Sequence, residues 1–180
     1  MRIGCPKEIK AQECRVGLTP AGVDALVRAG HAVYMEDNAG LASGFPNEEY
    51  IAQGAKILPT AKEVYDIADM IIKVKEPLEP EYELMHEGQI MFTYLHLAPD
   101  PEQTQALLRK KVTGIAYETV QLADRSLPLL SPMSEVAGRL SIQVGSRLLE
   151  SNCGGRGILL GGVTGVERAN VVIVGGGNVG

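Results

Sequence analysis

The sequence predicts an α/β fold with a mostly parallel sheet and helices on both faces. Short apolar segments with strand character alternate along the chain with amphipathic helical segments. Each connection is long enough for a crossover, and crossovers between parallel strands place helices on the faces of a sheet. A glycine-rich turn follows an apolar run at residues 171–174. We therefore predict a flavodoxin-like or Rossmann-type sheet domain, then a bridging helix, then the first strand of a Rossmann domain.

The predicted strands are apolar runs that stop at proline, glycine or charged residues. They cover residues 2–5, 32–35, 68–75, 89–96, 112–116 and 171–174. The helices are predicted to begin at capping signals, namely Thr19 before Pro20, Thr60 with Glu63, and Asp100 before Pro101. Shorter helical segments are expected at 48–53 and 81–86. A long helix is predicted from Ser131 to Glu150.

The composition is that of an ordinary globular protein. Of the 180 residues, 45% are apolar and 22% are charged, and the net charge of −5 argues against a surface for nucleic acid or anionic membranes. We see no secretory leader and no run of membrane-spanning length, so we expect a cytoplasmic protein. Cys5, Cys14 and Cys153 lack the C-x-x-C spacing and are expected to be free thiols. No cluster predicts a metal site.

Gly175, Gly177 and Gly180 have the G-x-G-x-x-G spacing of a dinucleotide-binding turn. The glycines permit a tight turn, a close approach of backbone to pyrophosphate, and packing of a following helix. That helix and its ribose-binding acidic residue would lie beyond residue 180. We therefore expect the chain to be part of a longer protein and to be inactive alone. The composition changes near 127–132, which predicts a first domain at 1–130 and a truncated nucleotide domain at 131–180.

Three charged side chains are predicted at the carboxyl ends of strands, where ligands bind in parallel α/β sheets. Arg15 lies in the loop after the first strand, Lys75 ends one strand and His96 ends another. Arginine grips a carboxylate with two hydrogen bonds, lysine polarises a carbonyl or imine oxygen, and histidine exchanges protons near neutral pH. Each residue also has a simpler explanation: a solvated arginine, a lysine at a strand end, and a structural histidine.

The sequence resembles the bacterial alanine dehydrogenases over essentially its whole length. The resemblance rests on Arg2-Ile3-Gly4, Pro6-Lys7-Glu8, Glu13-Cys14-Arg15-Val16, Thr19-Pro20, Val74-Lys75-Glu76-Pro77, Tyr94-Leu95-His96-Leu97-Ala98, Gly161-Gly162-Val163-Thr164-Gly165-Val166 and the terminal glycine turn. It implies reversible, NAD-dependent oxidative deamination of L-alanine to pyruvate and ammonium. It also implies a homohexamer and a second catalytic aspartate beyond Gly180.

The resemblance also implies roles for individual residues. Arg15 and Lys75 match substrate-binding positions, with Lys75 catalytic as well, and His96 matches the proton donor and acceptor. The positions expected to contact NAD are Ser134, Gly175, Gly177, Asn178, Val179 and Gly180.

Two alternatives stay open at this stage. The nucleotide-binding subunit of the proton-translocating NAD(P) transhydrogenases is similar at the N-terminus and the glycine turn, but is expected to lack the pair of Lys75 and His96. A non-catalytic domain that binds an amino acid or a partner is the other alternative.

Overall fold

A computed structural model describes all residues, 1–180. The chain divides into two compact units, Met1–Val120 and Gln121–Gly180. None of its helices combines the length and the apolar character needed to cross a bilayer.

The first unit is built on a six-stranded sheet in which every pair of neighbouring strands is parallel. The strands are β1 (Arg2–Cys5), β2 (Ala32–Glu36), β3 (Lys56–Leu58), β4 (Met70–Ile72), β5 (Ile90–Thr93) and β6 (Thr113–Ala116). Their order across the sheet is β3-β2-β1-β4-β5-β6. The strand order reverses at β1. Open parallel sheets bind ligands outside the carboxyl ends of the strands at such a reversal, which here lies between β1 and β4.

Five helices connect these strands, and a long sixth helix lies in the second unit. They are α1 (Pro20–Arg28), α2 (Asn47–Ala52), α3 (Ala61–Ile67), α4 (Glu79–Tyr82), α5 (Pro101–Lys110) and α6 (Ser131–Leu148). The predicted caps are confirmed. The side-chain oxygens of Thr19, Thr60 and Asp100 accept hydrogen bonds from the backbone amides of Gly22, Glu63 and Gln103, respectively.

Two apolar clusters form the core of the first unit. Alternation along the strands separates them, because neighbouring residues point to opposite faces of a sheet. On β1, Ile3 and Cys5 belong to one cluster. A side chain added at Gly4 would meet Val64 and Ala68 of the other cluster at 2.7 and 2.8 Å. The glycine therefore allows α3 to pack directly on the centre of the sheet.

Several strands differ in extent from the prediction. The segments predicted at 68–75 and 89–96 are regular only over Met70–Ile72 and Ile90–Thr93. The helical turn predicted at 81–86 lies at Glu79–Tyr82. Strand β3 was not predicted, because its three residues are too short to show a period and the strand is stabilised by pairing with β2.

One predicted strand does not form. Residues 171–174 pair with no other strand, and Val172 and Val174 are 85% and 97% exposed. An apolar run becomes a strand only where a neighbour accepts and donates its backbone hydrogen bonds. No strand of this chain lies beside 171–174, so the propensity of the valines is not realised here.

Candidate active site

Lys75 and His96 lie just beyond the carboxyl ends of two neighbouring strands. β4 and β5 are neighbouring parallel strands, and each residue lies three positions past the last residue of its strand. Strand-like bonds continue beyond the regular ends, since the amide of Tyr94 donates to the carbonyl of Val74 at 3.3 Å. Arg15 follows β1, which pairs with the other side of β4. The three predicted residues therefore follow three adjacent strands at the same edge of the sheet.

Arg15 is held by Glu13, two residues before it. The guanidinium Nε donates to Glu13 Oε1 at 2.7 Å and the guanidinium Nη2 donates to Oε2 at 2.6 Å. The Arg15 amide also donates to Oε1 at 2.9 Å. The hydrogen bond from Arg15 lowers the pKa of Glu13, and Glu13 raises the pKa of Arg15. The arginine is therefore charged and has a fixed orientation, which is what recognition of a carboxylate requires.

Lys75 is fixed through its backbone. Its amide donates to Glu8 Oε1 at 3.3 Å, and its carbonyl accepts the hydroxyl of Thr93 at 2.8 Å. The side chain is partly buried, and its ammonium makes no hydrogen bond or ion pair within the protein. A lysine held at its backbone with an uncommitted charge is suited to bind an anionic or carbonyl oxygen.

His96 has a left-handed backbone, with φ of 46°. Glu118 stabilises this turn, because its carboxylate accepts the amides of Leu95 at 3.3 Å and His96 at 2.8 Å. The imidazole Nδ1 lies 3.2 Å from Glu76 Oε2, and the ring stacks on Tyr94 with centroids 5.9 Å apart. The ring is thereby oriented by its backbone turn and by its contacts with Glu76 and Tyr94, while 46% of the side chain remains exposed.

Shared neighbours bring the three residues together. The charge of Lys75 contributes to lowering the pKa of Glu13, after the larger effect of Arg15. Burial raises the pKa of Tyr94, and the charge of Arg15 opposes that rise. Glu13 therefore lies in the electrostatic field of Arg15 and Lys75, and Tyr94 lies in the field of Arg15 and against the ring of His96.

Glu76 joins two basic groups at this edge. Burial alone would raise its pKa, but hydrogen bonds from Lys10, from the Glu76 backbone and from His96 outweigh burial and lower the pKa to about 2. A carboxylate with a depressed pKa stabilises the folded state above its unfolded pKa, near 4.5, and loses this contribution as the pH falls towards 2.

We predict that Glu76→Gln lowers the free energy of unfolding at pH 7 by about 2 kcal/mol, a value discounted for the exposed Lys10. The difference from the unsubstituted protein should shrink as the pH falls from about 4.5 towards 2, because both forms are then neutral at this position. Urea unfolding at a series of pH values measures it. Glu87→Gln, which changes an exposed pair with Lys111, is the matched control. A difference that stays constant over this pH range would contradict the assigned shift.

The predicted nucleotide residues lie together in the second unit. Ser134 is in the first turn of α6, and a cavity of about 1190 Å³ is lined by it and by the terminal glycine segment. The predicted residues among its lining are Ser134, Gly175, Gly177, Asn178, Val179 and Gly180. The side-chain Nδ2 of Asn178 donates to the hydroxyl of Ser131 at 3.4 Å. Gly175 has a φ of 106°, a conformation that other residues rarely adopt.

The prediction from sequence did not include the carboxylates that orient Arg15, Lys75 and His96. These are Glu8, Glu13, Glu76 and Glu118. A signal existed for Glu13 and Glu76, since each lies within two residues of a predicted site residue. Glu8 and Glu118 lie 67 and 22 residues from their amide partners. Only the fold brings them to those partners.

The sequence matches two family descriptions. Residues 4–137 match "Alanine dehydrogenase/PNT, N-terminal domain". The chain belongs to the alanine dehydrogenase/PNT family. Residues 141–180 match the corresponding C-terminal domain of that family. This membership agrees with the resemblance seen in the sequence motifs.

Named relatives of this family separate into near and distant ones. Alanine dehydrogenase from Methanococcus maripaludis is 70% identical over the whole chain, which covers 48% of that protein. A solved structure of L-alanine dehydrogenase is 56% identical with a TM-score of 0.93, covering 99% of this chain and 49% of that one. A transhydrogenase structure from Sinorhizobium meliloti is 26% identical with a TM-score of 0.73, covering 81% of this chain and 44% of that one. The chain thus spans about half the length of the curated relatives it matches.

Proposed function

We propose that the protein is an NAD-dependent amino-acid dehydrogenase that converts L-alanine, NAD⁺ and water reversibly to pyruvate, ammonium, NADH and a proton. One observation supports this most directly: Arg15, Lys75 and His96 follow three adjacent parallel strands at one edge of the sheet. Together they offer a carboxylate clamp, a fixed positive charge and a proton carrier. The interconversion of a 2-oxo acid and the corresponding amino acid requires all three.

In this proposal Arg15 and Lys75 bind and polarise the substrate. The Arg15 guanidinium, oriented by Glu13 at Nε and Nη2, binds the substrate carboxylate. The Lys75 ammonium lies against the carbonyl oxygen of pyruvate or the oxygen of the water adduct. Negative charge develops on that oxygen during the reaction, so a fixed ammonium stabilises the transition state more than the ground state.

His96 moves the proton. As water adds to the imine carbon, the imidazole accepts a proton from the water, and it returns a proton to the departing amine. Glu76 at Nδ1 fixes the tautomer and orientation of the ring, which leaves Nε2 as the nitrogen that exchanges protons with the substrate. The left-handed backbone at His96 sets the direction in which the imidazole points.

We assign NAD to the second unit. The residues there fit a dinucleotide, because at Gly175, Gly176 and Gly177 no atom beyond the glycine and its two chain neighbours lies within 4 Å of the position where a side chain would begin. An open glycine backbone of this kind lets pyrophosphate approach closely, with Ser134, Asn178, Val179 and Gly180 beside it. When bound, NAD supplies the acceptor for the hydrogen and electron pair that leave the substrate Cα.

The proposal extends to domains and assembly. Residues 1–130 form the N-terminal part of a substrate domain, and 131–180 form a bridging helix and the start of the nucleotide domain. The assembled protein is a homohexamer in the cytoplasm. Family resemblance supports these statements, and the molar mass of the full-length protein in solution tests the hexamer.

A direct assay tests the proposed function. The full-length protein is incubated with L-alanine and NAD⁺, and NADH formation is followed by absorbance, with pyruvate and ammonium identified as products. NADH formation that depends on alanine supports the proposal. Hydride exchange between two nucleotides without any alanine-dependent reaction would instead assign a transhydrogenase.

We predict that Arg15→Lys raises KM for pyruvate about tenfold, with a smaller change in kcat. Lysine keeps the charge and loses the bidentate fork, so the carboxylate is held less well in orientation. Initial rates of reductive amination at varied pyruvate measure this effect. Arg28→Lys is the matched control, because Arg28 is exposed on α1 and pairs only with Asp24. An unchanged KM in Arg15→Lys would make Arg15 a surface charge.

A further inference from the structure

A buried cluster of charges lies beside the segment that carries Lys75. It consists of Lys73, whose side chain is fully buried, and of Glu8 and Glu81, each 3% exposed. The Lys73 ammonium lies 2.6 Å from Glu81 Oε1 and 3.4 Å from Glu8 Oε2. Two carboxylates thus face one ammonium away from water. Such an arrangement is costly, and its retention calls for a physical reason.

Glu81 is the hydrogen-bonded partner of Lys73, and Glu8 is the more distant carboxylate. Glu81 Oε1 makes the short contact to the ammonium and also accepts the hydroxyl of Tyr65 at 3.2 Å. Its Oε2 accepts the amide of Leu78 at 2.9 Å. Glu8 Oε2, by contrast, makes no hydrogen bond. Neutralising Lys73 therefore does not explain why Glu8 is buried.

The other oxygen of Glu8 makes the contacts that matter. Glu8 Oε1 accepts the amide of Val74 at 2.6 Å and the amide of Lys75 at 3.3 Å. These two residues follow Lys73, whose amide makes the last hydrogen bond that this segment donates to its neighbour, to the carbonyl of Phe92. Where the sheet stops supplying acceptors, a single carboxylate supplies them. The backbone amides of Val74 and Lys75 both donate their hydrogen bonds to this carboxylate.

We propose that Glu8 is a positioning residue for Lys75, fixing the backbone from which the lysine reaches the substrate. This inference rests on the proposed function for its effect on catalysis. The hydrogen bonds themselves do not depend on that function. Burial raises the pKa of Glu8, while Lys73 and the two amides oppose the rise. The acceptor oxygen, and not the charge, is the property the segment requires.

The test separates the role of the Glu8 acceptor oxygen from the role of the Glu8 charge. Glu8→Gln keeps an oxygen that accepts both amides and removes the charge, whereas Glu8→Met keeps the length and removes the acceptor. Glu81→Gln is the matched control, since it changes the same charge cluster without touching the Val74 and Lys75 amides. Lys73 retains Glu81 in the Glu8 variants, which favours folding. Glu8→Thr, too short to reach both amides, replaces Glu8→Met if that variant does not fold.

Two measurements are made on the full-length protein. Amide hydrogen exchange at Val74 and Lys75 should accelerate about tenfold in Glu8→Met relative to Ile71 and Ile72 of β4, and change little in Glu8→Gln and Glu81→Gln. KM for pyruvate should rise about tenfold in Glu8→Met with KM for NADH unchanged, because misplacement of one substrate contact affects that substrate.

The outcomes separate this inference from the proposed function. If the unsubstituted protein has no alanine-dependent activity, the proposed function fails and hydrogen exchange alone decides whether Glu8 holds the Lys75 segment. Unchanged exchange in Glu8→Met overturns the inference. Altered exchange with an unchanged KM for pyruvate in an active enzyme also overturns it, because Glu8 would then serve stability only.

Discussion

Replacing His96 with asparagine is expected to lower kcat for alanine oxidation by about 10²–10⁴-fold, the range for loss of a positioned acid or base. Asparagine is chosen because it tolerates the left-handed backbone at this position better than alanine does. It keeps polar contact with Glu76 and cannot carry a proton near neutral pH. The affinity for NADH, measured by fluorescence titration, should stay nearly unchanged, since the glycine segment belongs to the second unit.

His31→Asn is the control for this experiment. His31 is half-buried and lies between α1 and β2, and its imidazole contacts the N-terminal amine at 3.5 Å. The same chemical change there should leave kcat unaltered. A His96→Asn enzyme with near-normal turnover would remove His96 from the mechanism.

Replacing Lys75 with methionine is expected to lower kcat/KM for pyruvate by about 10³-fold or more. Methionine retains most of the side-chain length and removes only the charge, which serves both binding and stabilisation of the developing oxygen charge. Because the Lys75 backbone is held by Glu8 and Thr93, the segment itself should stay in place. Initial rates at varied pyruvate and ammonium, with far-ultraviolet circular dichroism as a check on folding, measure the effect.

Lys62→Met makes the same change on the exposed face of α3, where Lys62 pairs with Asp66. This substitution should alter neither kcat nor KM for pyruvate. Equal effects of the two substitutions on stability, with no loss of kcat/KM in Lys75→Met, would show that Lys75 is a lysine at a strand end and nothing more.

Much of the first unit follows from local patterns. Thr19, Thr60 and Asp100 start helices for reasons contained in three or four consecutive residues, so the sequence alone predicts them. The parallel sheet follows from alternation of elements. From it, the common edge of Lys75 and His96 also follows, because the carboxyl ends of parallel strands lie on one side.

What the sequence did not predict depends on partners distant in the chain. β3 exists because β2 pairs with it. Residues 171–174 have strong strand propensity, yet they remain unpaired because no strand lies beside them. The carboxylates of Glu8 and Glu118 reach their amides across 67 and 22 residues. No local pattern encodes such contacts, so the orientation of the candidate site residues required the fold.

The pairing of Arg15 with Glu13 also affects the entropy of recognition. A free arginine side chain loses much rotamer freedom when it grips a ligand, a loss of about 0.5–1.5 kcal/mol for an immobilised side chain. Glu13 fixes the guanidinium at two nitrogens before any ligand arrives. That entropy is lost when the chain folds and not when the proposed carboxylate binds. The affinity of the site then depends on the contacts made at binding, and little on ordering the arginine that makes them.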